Sequence, residues 1–223
     1  MFKRPPKFGL RMVWMIAGIM MMGAALSVLI KLELGTDPYS CFVLGLSKQL
    51  HISYGNCQLL VQLVMFAAVL WLGRGMIGFG TIGNMVFVGY ITDLGTYLLD
   101  ASVPADAWSR TVVRYGALVP AMIVFVVGAA LYMAVDLGVS PYDAMPFVLQ
   151  GIINKFSFRS VRMVWDFLFL AVGFLLGGRA GAVTLLCVCF LGPVIAWLKG
   201  KIVPYLQEEG TAEAKALKRA GCL

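Results

Sequence analysis

An acid, a hydroxyl and a proline recur in this chain at nearly the same spacing. The first set is Asp37, Pro38, Tyr39 and Ser40; the second is Ser140, Pro141, Tyr142 and Asp143. Each follows a Leu-Gly pair with an acid just upstream (Glu33, Asp136), and the two glycines, Gly35 and Gly138, stand 103 residues apart. Proline suits the first turn of a helix, where its missing N–H would have no partner. Asp37 and Ser140 then stand where a side chain caps a helix N-terminus. Capping leaves room for a second role. Broken helices in a membrane expose backbone N–H groups and positive dipole ends that hold anions or polar solutes, and aspartates placed there favour a cation or amine instead. Tyr39 and Tyr142 read first as interfacial anchors, with pocket walls as the alternative.

Five more residues bring charge or strong polarity into long apolar stretches: Gln62, Asn84, Asp93, Arg162 and Asp166. A charge at mid-bilayer costs roughly 2.5–3.5 kcal/mol or more, so each of these needs a reason to be there. Arg162 and Asp166 are one helical turn apart on one face and can pair directly. The pair reads either as a clasp between helices or as a proton- or substrate-binding pair. With the two proline sets, these residues form the candidate substrate site.

Other chemistries find little support. The five cysteines, Cys41, Cys57, Cys187, Cys189 and Cys222, form no C-x-x-C pair, and with His51 as the one histidine a metal site lacks ligands. No nucleophile–base set is present, so no catalytic residue, metal or cofactor is assigned and an enzyme is not expected. Gly78-Phe79-Gly80-Thr81-Ile82-Gly83 matches a dinucleotide fingerprint, but it opens an apolar helix rather than following a strand, so its glycines read as packing positions. The 13 methionines read as adaptable packing.

The elements that must carry these residues are membrane helices. Hydrophobic residues make up 61% and charged residues 13%, with a mean hydropathy of +0.88. A soluble domain carries about 25% charged residues and cannot hide so much apolar surface. Stretches long enough to cross are roughly 12–32, 54–73, 78–99, 113–135, 160–177 and 181–203. The stretches 38–50 and 141–154 are too short, since each rises about 20 Å as a helix. They read as re-entrant or interfacial helices. Basic residues flank both ends: Lys3, Arg4, Lys7 and Arg11 at the start, and Lys199, Lys201, Lys215, Lys218 and Arg219 at the end. Both termini are therefore expected in the cytoplasm, which requires an even number of crossings. The net charge of +7 is a topology signal plus attraction to anionic lipid, and a nucleic-acid partner is not expected.

The repeat extends beyond the prolines. Gly78, Thr81 and Gly89 match Gly181, Thr184 and Gly192 at the same spacing, and Gln62 matches Asp166 one residue further on. The fold class expected is an all-α polytopic membrane protein, with about six transmembrane helices in two three-helix repeats. Three crossings per half make the repeats inverted; if the short segments crossed, they would be parallel. The segments are 1–100 (first repeat), 101–112 (linker), 113–203 (second repeat) and 204–223 (cytoplasmic tail).

Three motifs carry a family resemblance: Glu33-Leu34-Gly35-Thr36-Asp37-Pro38-Tyr39-Ser40, Gly80-Thr81-Ile82-Gly83-Asn84 and Gly89-Tyr90-Ile91-Thr92-Asp93. Together they resemble the YczE/YitT group of bacterial integral membrane proteins, more nearly YczE. The second half departs from the pattern with Cys187 in place of Asn84 and Ala196 in place of Asp93. The resemblance implies a multi-pass protein of the bacterial inner membrane.

The function expected is transport of a small solute by a permease, with the lipid bilayer and a small molecule or ion as partners, and a homodimer or other membrane partner left open. The alternative is a non-transporting membrane subunit or regulator, such as the substrate-binding component of a larger complex.

Overall fold

The computed structural model describes residues 5, 7–72, 76–104, 107–108 and 110–203. The tail 204–223 with Cys222, the basic Lys3 and Arg4, and Arg74 lie outside the described residues, as does the side chain of Cys189. Among the described residues the chain is all helix and turn, with no strand. The helices are α1 (Phe8–Leu32), α2 (Pro38–Leu50), α3 (Tyr54–Leu72), α4 (Phe79–Ser102), α5 (Thr111–Ala134), α6 (Pro141–Ile153), α7 (Phe158–Leu175) and α8 (Ala182–Leu186). α8 passes through a π-helical turn, Cys187–Leu191, into a helix over 192–203. The expected helices are all present, with ends moved by a few residues. One difference has a clear cause. Residues 181–203 are expected as one helix, but the ladder slips at Cys187–Leu191. Pro193 has no N–H to donate four residues back and its ring crowds that carbonyl, whereas α4 carries Tyr90 at the matching place and runs unbroken.

Among the described residues three helices, α1, α3 and α5, are long and apolar enough to cross a membrane. α7 falls outside that description because Arg159, Arg162 and Asp166 share its 18 residues. The surface is apolar on every long helix: Val64 on α3, Phe87 on α4, Ile123 on α5 and Phe167 on α7 are all more than half exposed. α3 is inside out by the standards of a soluble protein. It buries Gln58 and Gln62 and exposes Leu60, Leu63 and Val64. An apolar exterior of this extent is stable against lipid and not against water.

α1 and α5 pack side by side and antiparallel at the centre, crossing where Gly18 meets Gly128 with no room for a Cβ on either. Arg11 near the start of α1 donates from Nη1 to Val135 O at the end of α5 (2.7 Å). Arg114 near the start of α5 donates from Nε to Leu32 O at the end of α1 (3.0 Å). Both donors and both acceptors are 103 residues apart. Each arginine satisfies a carbonyl that its partner helix leaves free at its C-terminus.

A second exchanged contact closes the halves together. The Leu-Gly loop after α1 lies on the start of α8, and the loop after α5 lies on the start of α4. Gly35 and Gly138 have φ of +104° and +105°, a left-handed backbone that glycine adopts without strain. A Cβ on Gly35 would stand 2.5 Å from Thr184 Oγ1, and one on Gly138 would stand 2.6 Å from Gly78 N. On the α4 side, Gly80 N donates to Leu137 O (2.8 Å) and Thr81 Oγ1 donates to Val139 O (2.8 Å). Of the glycines that resembled a dinucleotide fingerprint, Gly78 and Gly80 thus admit a loop of the other half, and Gly83 faces Ile19 and Met15 of α1. The short helices are exchanged too: α2 packs on α7, and α6 packs on α3.

Candidate functional site

The two proline sets start α2 and α6, with Pro38 and Pro141 in the first turn as expected. Asp37 caps α2 by accepting from Ser40 N through Oδ2 (3.1 Å). Ser140 caps α6 by accepting from Asp143 N (3.2 Å), and its hydroxyl donates to Asp143 Oδ2 (2.7 Å). The two N-terminal turns meet. The Tyr39 and Tyr142 ring centroids are 4.6 Å apart, and both side chains are buried. The tyrosines are therefore not interfacial anchors. Each follows its helix-starting proline and is carried to the interior, where the two rings form a common wall.

Behind Tyr142, α7 supplies a charged cluster. Arg162 Nη1 donates to Asp143 Oδ1 (2.8 Å) and Nε donates to Asp166 Oδ2 (3.2 Å). Tyr142 OH donates to Asp166 Oδ1 (2.5 Å), and the guanidinium carbon lies 5.2 Å from the Tyr142 ring centroid. One cation thus bridges two carboxylates and leans on an aromatic ring.

Behind Tyr39, α3 supplies a neutral counterpart. Tyr54 OH donates to Ser40 Oγ (3.1 Å), and Gln58 and Gln62 point from the same face of α3. Gln58 and Gln62 stand 104 residues before Arg162 and Asp166, so the i, i+4 pair exists in both halves, amide in one and ionic in the other. Three buried oxygens here have no protein donor: Asp37 Oδ1, Gln58 Oε1 and Gln62 Oε1. Among the described residues no basic side chain pairs with Asp37.

Between the halves lies a cavity of about 70 Å³. Its polar lining is Asp37, Tyr39, Ser40, Tyr54, Gln58, Gln62, Asn84, Ser140, Tyr142, Asp143 and Arg162, and its apolar lining comes from α1, α4, α5, the π-turn and the helix over 192–203, including Met22, Phe125 and Ile195. Most of the residues singled out from the sequence are thus brought together. Asp166 stands behind the wall, held by Tyr142 and Arg162, and Pro38 and Pro141 start the helices without lining the cavity. Asp93 is not brought there. Its Oδ2 accepts from Gly55 N (3.0 Å) and caps the start of α3, where the helix leaves its N–H groups free. Tyr54 and Gln58 were not singled out from the sequence; the match of Gln58 to Arg162 was the available signal. Among the described residues no group of histidine, cysteine and acidic side chains is placed to hold a metal.

A model of the DUF6198 family, a family of unknown function, matches residues 9–200. The chain belongs to this family. It is 23% identical over 179 residues to the uncharacterized protein YyaS of Bacillus subtilis (strain 168), covering 80% of this chain and 87% of that one. An uncharacterized protein of Haemophilus influenzae is 26% identical over 165 residues, 73% of this chain and 71% of its own. No solved structure matches. The family shown is thus DUF6198, and the matches carry no YczE name.

Proposed function

We propose that the protein is a multi-pass bacterial inner-membrane permease that binds a small solute in the cavity between α2 and α6. Six helices would cross, α1, α3, α4, α5, α7 and the α8 helix to residue 203, in two inverted repeats with both termini in the cytoplasm. The shared features with the YczE/YitT motifs fit this arrangement. The observation that carries the reading is the cavity: buried polar groups from both halves converge at the point where the halves exchange contacts. Sites of this kind, built by broken helices at a repeat interface, are how inverted-repeat transporters hold solute midway. The exchanged loops at Gly35 and Gly138 give the two ends equivalent contacts, which suits a molecule that rocks between two states.

The test is solute flux in liposomes of the purified full chain. Uptake of at least one solute, lost in Arg162→Met and Gln62→Leu, is the expected result. A well-folded protein that binds a solute but moves none, and that co-purifies with an ATPase or scaffold, would replace the permease with a binding subunit.

A further inference from the structure

The charged half of the site shows which ligand the neutral half suits. In the second half a guanidinium is held by an acid of the short-helix N-terminus (Asp143), an acceptor one turn further along the long helix (Asp166) and the face of a tyrosine (Tyr142). In the first half Tyr39 matches the ring and Gln62 the acceptor along the long helix, while the acid is staggered: Ser40 stands where the second half has Asp143, and the carboxylate comes from the N-cap, Asp37, where the second half has Ser140. Where Arg162 stands, the first half has Gln58, an amide too short and uncharged to do the same work. The acceptors remain. Asp37 Oδ1, Gln58 Oε1 and Gln62 Oε1 are all buried without a protein donor, and both glutamines are 1% exposed.

We infer that this half of the cavity binds a small organic cation rich in N–H donors, a guanidinium or primary ammonium group, between Asp37, Gln58, Gln62 and the face of Tyr39. The inference rests on the solute-binding reading above and names the class of solute. A buried carboxylate without a counter-charge calls for a cation. Three acceptors match the three N–H donors of a primary ammonium, or the two N–H groups on one edge of a guanidinium together with one from the next edge. The cavity of about 70 Å³ limits the group to a few heavy atoms, with any longer substituent leaving through the opening. An anion would meet three acceptor oxygens and two acids, and would find Arg162 already engaged.

Isothermal titration of the detergent-solubilised full chain separates the determinants. The probes are guanidinium, methylammonium, urea and tetramethylammonium, each at low millimolar concentration. Urea keeps the planar shape and one edge formed by two NH2 groups without the charge, a carbonyl replacing the third NH2; tetramethylammonium keeps a charge without donors. Guanidinium or methylammonium is expected to bind, with urea and tetramethylammonium weaker by at least about tenfold, the loss that goes with one charge-assisted hydrogen bond. Asp37→Asn preserves the helix cap and is expected to weaken the cation by about tenfold or more, with Gln58→Met weakening it by a similar factor. Cation binding unchanged in both variants would overturn the inference, as would preferred binding of urea. Binding or flux of an anion or neutral solute alone would also overturn it while leaving the permease standing.

Discussion

Arg162 offers the sharpest test of how the interior is balanced. Its guanidinium bridges Asp143 and Asp166, at 2.8 and 3.2 Å, and the three side chains are 22%, 15% and 12% exposed. Arg162→Met keeps most of the stem volume and removes the charge, leaving two acids side by side with hydroxyl donors (Ser140, Tyr142) but no counter-charge. Breaking such a pair from one side costs about 3–5 kcal/mol, because the remaining charge stays buried and uncompensated. Replacing all three, with Asp143→Asn and Asp166→Asn added, removes the stranded charges and is expected to recover stability to within about 2 kcal/mol of the wild type. Arg162→Lys keeps the charge but cannot fork to both carboxylates, and is expected to fall between. Unfolding in mixed micelles followed by tryptophan fluorescence reports the cluster, since Trp165 lies 6.0 Å from the Tyr142 ring. An Arg162→Met protein as stable as wild type, or a triple variant less stable than the single one, would show that the cluster is not the buried ionic network described.

Other expectations follow from the paired contacts. Gly35→Ala and Gly138→Ala should each abolish a monodisperse peak in size-exclusion chromatography, because the added Cβ meets the opposing helix start at 2.5–2.6 Å, while Gly151→Ala, with open space around it, should elute like wild type. A normal profile for either loop variant would break the account of the exchanged loops. Arg11→Gln and Arg114→Gln should destabilise alike, by about 1–2 kcal/mol each, and a gap larger than that between them in micellar unfolding would mean the two arginines are not equivalent. Tyr142→Phe should cost about 1.5–3 kcal/mol, since its hydroxyl donates to a carboxylate. Tyr39→Phe should cost well under half of that, because the Tyr39 hydroxyl reaches only Gln58 O at 3.5 Å; equal costs would contradict this asymmetry.

The repeat was readable because it was written in residues with few substitutes. Gly35 and Gly138 are required by a left-handed turn, Pro38 and Pro141 by a helix start, and Thr81 and Thr184 by the loops that lie on them. The pairing of Arg162 with Asp166 was readable because i, i+4 spacing fixes both on one face. Three things were not. The second carboxylate on Arg162, Asp143, comes from another helix, and sequence spacing says nothing about how α6 lies on α7. The tyrosines read first as interfacial anchors because an amphipathic ring near a helix end suits the headgroup level, and sequence spacing does not show that the two helix starts meet in the interior. Asp93 was misplaced for a related reason: an acid within an apolar helix signals burial against something polar, but the something was the start of α3 rather than a solute. The π-turn followed from Pro193, whose effect on the ladder was not drawn from the sequence.

In the proposed permease the cavity between α2 and α6 is reached by solute from both sides of the membrane. Ser40 lines it, is 3% exposed and accepts from Tyr54, so Ser40→Cys in a background with the five native cysteines replaced puts one thiol at the site. The measurement is labelling of that thiol by a membrane-impermeant reagent added to either side of vesicles of known orientation. Labelling from each side, slowed by the cation that binds the purified protein, is the expected result. Labelling from one side only, or from neither, would contradict a permease built around this cavity.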